Sequence, residues 1–186
     1  MLNPTNPYAA TKAAAEFLVK SYGESFKLPY VITRGNNVYG PYQFPEKVIP
    51  RFTTAIMRNE KMTIQGDGKQ VRNFIYVNDT VRAVDVIIRK GKIKMIYNIG
   101  SKDEIKVIEI ASILLKLMKP DAKLEDNIVY VKDRYFNDCR YSVMTDALES
   151  LGWKQQVPFD EGIRKTIQWY QEHPDHWQID ATFNAE

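Results

Sequence analysis

The sequence predicts a mixed α/β fold, because segments typical of strands alternate with segments typical of helices along almost the whole chain. Two observations support this class. The apolar, β-branched run at residues 30–33 suits a strand of a parallel sheet that is buried on both faces. The polar, glycine-containing residues 35–41 follow directly, where open α/β sheets bind their ligands. The alternation alone leaves α/β and α+β classes open.

The first element is a helix that starts at Pro7 with Asn6 as its cap, runs toward Phe26 and ends before Leu28-Pro29. A strand at residues 30–33 and a loop at 35–41 follow it. Asn78 or Asp79 is expected to cap a later helix over 80–90, with Gly91 just beyond its end. The other elements of this half are a helix at 48–58, strands at 62–65 and 72–77, and a turn at 66–68 between them.

The second half continues the alternation. Residues 96–100 read as a strand that ends at glycine, and residues 107–118 as an amphipathic helix stopped by Pro120. A short strand at 128–131, a helix at 145–151 and a final helix at 159–172 complete the predicted elements. Residues 178–186 form a polar tail.

Composition excludes several classes of function. The chain has 186 residues, 44% of them apolar and 26% charged, with a net charge of +3 that is spread along the sequence. We therefore expect a globular protein with no nucleic-acid partner and no membrane span. A single cysteine and no signal peptide lead us to expect a cytoplasmic protein. The two histidines, His173 and His176, have no further ligands near them in sequence, so no metal site is predicted.

Tyr8 and Lys12 form a Tyr-x-x-x-Lys pair on the first predicted helix. Residues four apart lie on one face of a helix, about one turn from each other. An ammonium beside a phenol favours the phenolate, which makes tyrosine usable as a base near neutral pH. The spacing alone is also common on ordinary solvated helix faces.

The segments around this pair resemble the extended short-chain dehydrogenase/reductases, and in particular the nucleotide-sugar 4,6-dehydratases of the dTDP-glucose and UDP-glucose type. The resemblance covers residues 3 to about 177 and rests on an ordered set of motifs. These are NPYAATKAAAE at 6–16, RGNNVYGP at 34–41, FPEKVIP at 44–50, GDGKQVRNF at 66–74, YNIG at 97–100 and DRYFNDCRY at 133–141.

The resemblance implies NAD as cofactor and a nucleotide sugar as substrate. Tyr8 would be the base that takes the proton of the hydroxyl on the fourth sugar carbon, and Lys12 would assist it and hold the nicotinamide ribose. Asn37 would contact both cofactor and substrate. The further residues implied in substrate binding are Lys47, Val48, Arg72, Asn98, Arg134, Asn137 and Tyr141.

Two departures from the family pattern matter. The chain contains no Gly-x-Gly-x-x-Gly or Gly-x-x-Gly-x-x-Gly sequence, so the turn that holds a dinucleotide pyrophosphate is missing. The resemblance therefore implies a C-terminal half. Tyr135 replaces a usual proline, and Asn137 replaces the histidine typical of bacterial dTDP-glucose enzymes, which favours the UDP-glucose branch.

The expected architecture is thus a partial Rossmann-type fold joined to a smaller α/β substrate-binding domain. Residues 1–44 would belong to the NAD-binding domain and 45–177 mainly to the substrate domain, with some segments returning to the first. We expect a homodimer in the full-length enzyme and an N-terminal half as a possible partner of this chain. The alternatives are a nucleotide-sugar 4-epimerase fragment and a non-catalytic subunit that binds a sugar nucleotide or a protein.

Overall fold

The computed structural model describes residues 4–133 and 143–177, and these alternate between helices and strands as the sequence predicts. The helices are α1 (Pro7–Phe26), α2 (Val48–Met57), α3 (Val77–Lys90), α4 (Val107–Met118), α5 (Asp146–Glu149) and α6 (Phe159–Glu172). The strands are β1 (Ile32–Gly35), β2 (Asn37–Tyr39), β3 (Met62–Gln65), β4 (Val71–Tyr76), β5 (Ile96–Ile99), β6 (Glu104–Lys106) and β7 (Ile128–Val131). No helix of this part of the chain is both long and apolar enough to span a membrane.

The described strands form three small sheets. β1 pairs with β5 and β3 pairs with β7, both in parallel. The third sheet has the order β2-β4-β6, parallel between its first two strands and antiparallel between its last two. Gly35 pairs with Ile99 in the first sheet and Asn37 with Phe74 in the third, so Asn36 alone connects two sheets.

Most of the core lies between helices α2, α4 and α6 and the strands that they cover. Fully buried side chains in this cluster include Phe52 of α2, Leu114 of α4 and Ile163 of α6. A smaller cluster joins α3, β5 and the segment after α5, with Ile87 and Trp153 among its buried members. A cavity opens between the first of these cores and Asn36, the residue at which the chain passes from one sheet to the other.

Several predicted elements have the bounds that the sequence indicates. Strands 62–65 and 128–131 and helices 107–118 and 159–172 are confirmed to the residue. The first helix starts at Pro7, and the Ala9 amide donates to Asn6 Oδ1 over 2.8 Å, which confirms the predicted cap. The strand predicted at 30–33 is displaced to 32–35, and the helix predicted at 145–151 is shortened to 146–149.

Three predictions are wrong. Residues 35–41 contain strand β2, which forms because β4 lies beside it although it is far along the chain. Neither Asn78 nor Asp79 caps α3, since that helix already begins at Val77 and its capping residue is Tyr76. Strand β1 is not buried on both faces: its residues are half-buried or exposed, because β5 is its sole neighbour among the described strands.

Candidate functional site

A cavity of about 400 Å³ lies where β2, β3, β4 and the first turn of α2 meet. Of the residues that the sequence predicts to bind substrate, four lie on its wall: Asn37, Lys47, Val48 and Arg72. They come from β2, the start of α2 and β4, and they are up to 35 positions apart in sequence, the span from Asn37 to Arg72. The fold therefore places residues from separate sequence motifs on the wall of the same cavity.

Pairing of β2 with β4 places Asn37 at the rim of the cavity. Its Nδ2 donates to the carbonyl oxygen of Asn73 over 3.1 Å, which fixes the orientation of the side-chain amide. Asn73 is itself buried and donates to the carbonyl oxygen of Ser101 over 3.0 Å. The Asn37 side chain is thus held by a second layer of hydrogen bonds rather than left to rotate in solvent.

The N-terminus of α2 forms another wall of the cavity. Lys47 is its capping residue and Val48 its first residue, and the Lys47 side chain makes no capping hydrogen bond to the helix. Unsatisfied N–H groups and the positive end of the helix dipole favour an anion at this position. Arg51, one turn further along, also lines the cavity. Arg51 was not predicted from the sequence, although its spacing of four residues from Lys47 on a predicted helix was an available signal.

The charges around the cavity favour an anionic ligand. Lys47, Arg51 and Arg72 are cationic, whereas Glu46 is the one carboxylate among the described residues of the lining. Lys47 Nζ lies 2.7 Å from Glu46 Oε1, and both of these side chains are more than half exposed. Such a surface pair is weak, so Lys47 can exchange this partner for a phosphate oxygen at small cost. Arg72 donates from Nη1 to its neighbour's carbonyl oxygen on Val71 over 2.8 Å.

Two amide side chains on the cavity wall contain buried atoms that lack a hydrogen-bond partner. Both polar atoms of the Asn36 amide and Oε1 of Gln43 are in this state among the described residues. A Cβ atom at Gly100 would lie 2.9 Å from Asn36 Nδ2, so glycine there leaves room for this amide. Because unsatisfied buried polar atoms are costly, these atoms fit a site whose hydrogen bonds are completed by a polar ligand.

The Tyr8 and Lys12 pair lies apart from the cavity lining. Both residues are on α1, and the Tyr8 side chain is 74% exposed. Asn98 also lies outside the lining: it sits on β5 opposite Arg34 and donates to the carbonyl oxygen of Met144 over 2.9 Å. The remaining predicted residues, Arg134, Asn137 and Tyr141, lie outside the described part of the chain.

The chain thus combines an α/β fold, a Tyr-x-x-x-Lys helix and a separate cavity lined by three cationic side chains, as expected for an extended short-chain dehydrogenase/reductase. The family described as GDP-mannose 4,6 dehydratase matches residues 1–166. The chain therefore belongs to this family of nucleotide-sugar 4,6-dehydratases, as the resemblance of its motifs indicated.

Known proteins similar to the chain include dehydratases and epimerases. Human dTDP-D-glucose 4,6-dehydratase is 48% identical over 178 residues, which are 94% of this chain and 51% of the human protein. The solved structure of DesIV, a dTDP-glucose 4,6-dehydratase from Streptomyces venezuelae with NAD bound, has a TM-score of 0.90 and 35% identity, covering 96% of this chain and 55% of that one. UDP-glucose 4-epimerase from Thermotoga maritima, solved with UDP-glucose, has a TM-score of 0.85 and 28% identity, covering 93% and 56%. The chain spans about half the length of the curated relatives it matches.

Proposed function

We propose that this chain is the substrate-binding half of an NAD-dependent nucleotide-sugar 4,6-dehydratase that acts on dTDP-glucose or UDP-glucose. The observation that carries the proposal is the single cavity in which Asn37, the start of α2 and Arg72 meet. The family membership and the similarity to a dTDP-glucose 4,6-dehydratase support the same reaction.

In this proposal the diphosphate of the substrate binds between Arg72 and the N-terminus of α2. The planar guanidinium of arginine binds phosphate oxygens in pairs, and the amides of Val48 and Ile49 in the first turn of α2 add further donors, whereas Pro50 has no N–H. Lys47 and Val48 then contact the nucleotide part, while Asn37 contacts the sugar. Arg134, Asn137 and Tyr141 are proposed as further substrate ligands from their motif alone, and Asn98 as a contact near the nucleoside.

Tyr8 is proposed to accept the proton of the C4 hydroxyl, with Lys12 favouring its phenolate form and binding the nicotinamide ribose. NAD, when bound, would accept hydride from C4 and later return it to C6. Water leaves between C5 and C6, so the product is the 4-keto-6-deoxy sugar nucleotide and the cofactor is regenerated. Tyr8, Lys12 and Asn37 are proposed to contact the nicotinamide end of NAD. Residues for its pyrophosphate are absent from the sequence, which has no glycine-rich dinucleotide turn.

We also propose that an N-terminal half completes the site in the full-length protein, and that residues 1–44 belong with it in the NAD-binding domain. The apolar side chains exposed on α1 and α3, among them Phe26 and Ile88, suit such a partner surface. The full-length enzyme is proposed to be a homodimer.

The second candidate function is 4-epimerisation, which the similarity to UDP-glucose 4-epimerase supports and which also uses a Tyr-Lys pair.

Calorimetry of the 186-residue chain with dTDP-glucose and with UDP-glucose tests the substrate site. We expect heat of binding with at least one of them, and an affinity about tenfold lower for Arg72→Ala, because a charge-assisted contact to phosphate is lost. Arg89→Ala is the matched control, since Arg89 pairs with Asp85 on the exposed face of α3. No heat with either nucleotide sugar would contradict the proposal.

A second experiment tests the division of the site between two halves. The chain alone should produce no 4-keto-6-deoxy sugar nucleotide when NAD and substrate are supplied together. Turnover by the isolated chain would show that the proposed division is wrong. In a full-length protein, an Asp-Glu pair upstream of Tyr8 would favour dehydration over epimerisation, since loss of water needs an acid and a base.

A further inference from the structure

Helix α1 buries no large apolar side chain. Its only buried residues are Glu16 and Gly23, while its large apolar side chains, Phe17, Leu18, Tyr22 and Phe26, are exposed. A buried carboxylate is costly unless charged donors satisfy it, so the partners of Glu16 are informative.

Arg34 of β1 binds both oxygens of the Glu16 carboxylate. Its Nε donates to Oε2 over 3.0 Å, and its Nη2 donates to Oε1 over 2.7 Å. Lys20, one turn further along α1, also donates to Oε1 over 2.7 Å. The hydrogen bonds from Arg34 are the main reason that the pKa of Glu16 lies below its ordinary value, although burial opposes this shift. Oε2 has Arg34 as its one donor among the described residues.

Glu16 is spaced to interact with the proposed catalytic pair. Tyr8, Lys12 and Glu16 follow at intervals of four and therefore lie along one face of α1. Glu16 is the first acidic residue of the sequence, so it is the carboxylate that Lys12 can reach along its own helix. Among the described residues, however, Lys12 forms no ion pair, whereas the carboxylate of Glu16 pairs with Arg34 and Lys20.

We propose that Arg34 is a positioning residue for Lys12. Together with Lys20 it surrounds the single negative charge of Glu16 with two cations, which offsets the attraction of this carboxylate for the Lys12 ammonium and leaves Lys12 available to Tyr8 and to the cofactor. The catalytic role of Lys12 rests on the proposed function, whereas the arrangement of charges around Glu16 does not. Without Arg34, one cation remains beside Glu16, and Oε2 has no donor among the described residues.

The test measures how fast the Lys12 amine reacts with acetic anhydride in the 186-residue chain, using mass spectrometry of the peptide that contains it. Only the neutral amine reacts, and a carboxylate partner favours the ammonium form. Arg34→Gln should slow acetylation of Lys12 about twofold, the size of one i,i+4 ion pair on a helix. Lys12 is exposed in the structure, so its accessibility is not expected to change.

Two matched variants separate this role from simple anchoring of α1. In the double variant Arg34→Gln/Glu16→Gln the anchor is still broken, but the competing carboxylate is gone, so the rate should return to that of the original chain. Lys20→Gln should leave the rate of acetylation unchanged, because both hydrogen bonds from Arg34 to Glu16 remain. Near-ultraviolet circular dichroism of the core confirms folding, and Arg34→Lys gives a milder variant with an intermediate expected rate.

An unchanged rate in Arg34→Gln, or a double variant that stays slow, would overturn the inference. Its failure can be distinguished from failure of the proposed function. Binding of nucleotide sugars to the cavity does not involve Lys12, so calorimetry can succeed when the acetylation test fails. The reverse outcome would leave the role of Arg34 intact and remove the proposed substrate.

Discussion

Helix α1 and the packed region around α2, α4 and α6 are stabilised by different kinds of contact. The packed region buries complete aliphatic and aromatic side chains, whereas α1 buries a carboxylate and a glycine. Burial of apolar area is the main stabilising term in folding. We therefore expect substitutions in the packed region to change global stability, and substitutions in α1 to change local opening of that helix.

This difference in stabilising contacts separates the two parts of the proposed site. The cavity that we assign to substrate is supported by the packed region, while the Tyr8-Lys12 pair is supported by a few hydrogen bonds. A complete site would need the exposed face of α1 to be fixed as well. The proposed N-terminal half would supply that support.

The largest expected effect is at Asp79 of α3, whose hydrogen-bond partner Val157 belongs to the core of the packed region. This carboxylate is fully buried and accepts from the backbone amides of Gln156 (2.9 Å) and Val157 (3.0 Å) and from Arg82. Asp79→Ala leaves these donors unpaired, which should lower the free energy of unfolding by about 3–5 kcal/mol. Urea denaturation measures the change. Asp85→Ala on the same helix, where the ion pair is exposed, should change it by less than about 0.5 kcal/mol. Similar values for both variants would contradict the prediction.

The next effect concerns close packing at Gly162 of α6. A Cβ atom there would clash with the Tyr39 hydroxyl oxygen and lie 3.0 Å from a ring carbon of Tyr76. Gly162→Ala should therefore destabilise the protein by about 1–3 kcal/mol, despite the better helix propensity of alanine. Gly35→Ala in β1 is the control, because nothing lies within 4 Å of the added atom. Thermal unfolding of both variants compares a close-packed position with an open one. Equal melting temperatures would contradict the prediction, because they would show that α6 shifts to accommodate the added methyl group.

Local sequence signals explain which elements could be predicted. Helix 107–118 is defined by its apolar periodicity and by Pro120, and the strands at 62–65 and 128–131 by short β-branched runs. Strand β2 was missed because its pairing with β4 is not local. The same holds for Asp79: its sequence position suggests a cap, but its partners are backbone amides 77 and 78 positions later.

The candidate site divides in a similar way. Motif order identified Asn37, Lys47, Val48 and Arg72, and the fold brings these four around one cavity. Asn36, Gln43 and Arg51 were not assigned roles from sequence, because their positions depend on the switch between two sheets and on the direction of α2. The anchor between Glu16 and Arg34 was likewise not predicted, since it joins residues on two elements.

A smaller effect is expected in α1 at its cap. Asn6 Oδ1 accepts from the Ala9 amide, so Asn6→Ala should favour opening of the first turn of α1 by about 1 kcal/mol. Amide hydrogen exchange at Ala9 measures this opening, while the urea midpoint of the core should not move. Thr5→Ala, a neighbouring exposed position, is the control with no expected change. A shift of the core midpoint would mean that α1 and the packed region unfold together.

The smallest expected effect is a pH dependence confined to α1. Hydrogen bonds from Arg34 are the largest cause that holds the pKa of Glu16 below its ordinary value of 4.5, with Lys20 adding to them and burial opposing them. Because the folded pKa is the lower one, this contact stabilises the docked helix above the ordinary value and is lost as pH falls through the lowered one. Amide exchange in α1, corrected for intrinsic rates between about pH 6 and pH 3, should therefore show increasing opening toward acid, while the core stays protected. Glu16→Gln should open α1 at every pH and remove the dependence. If the dependence persists in that variant, another group controls the docking of α1, and the contrast between the two regions has a different origin.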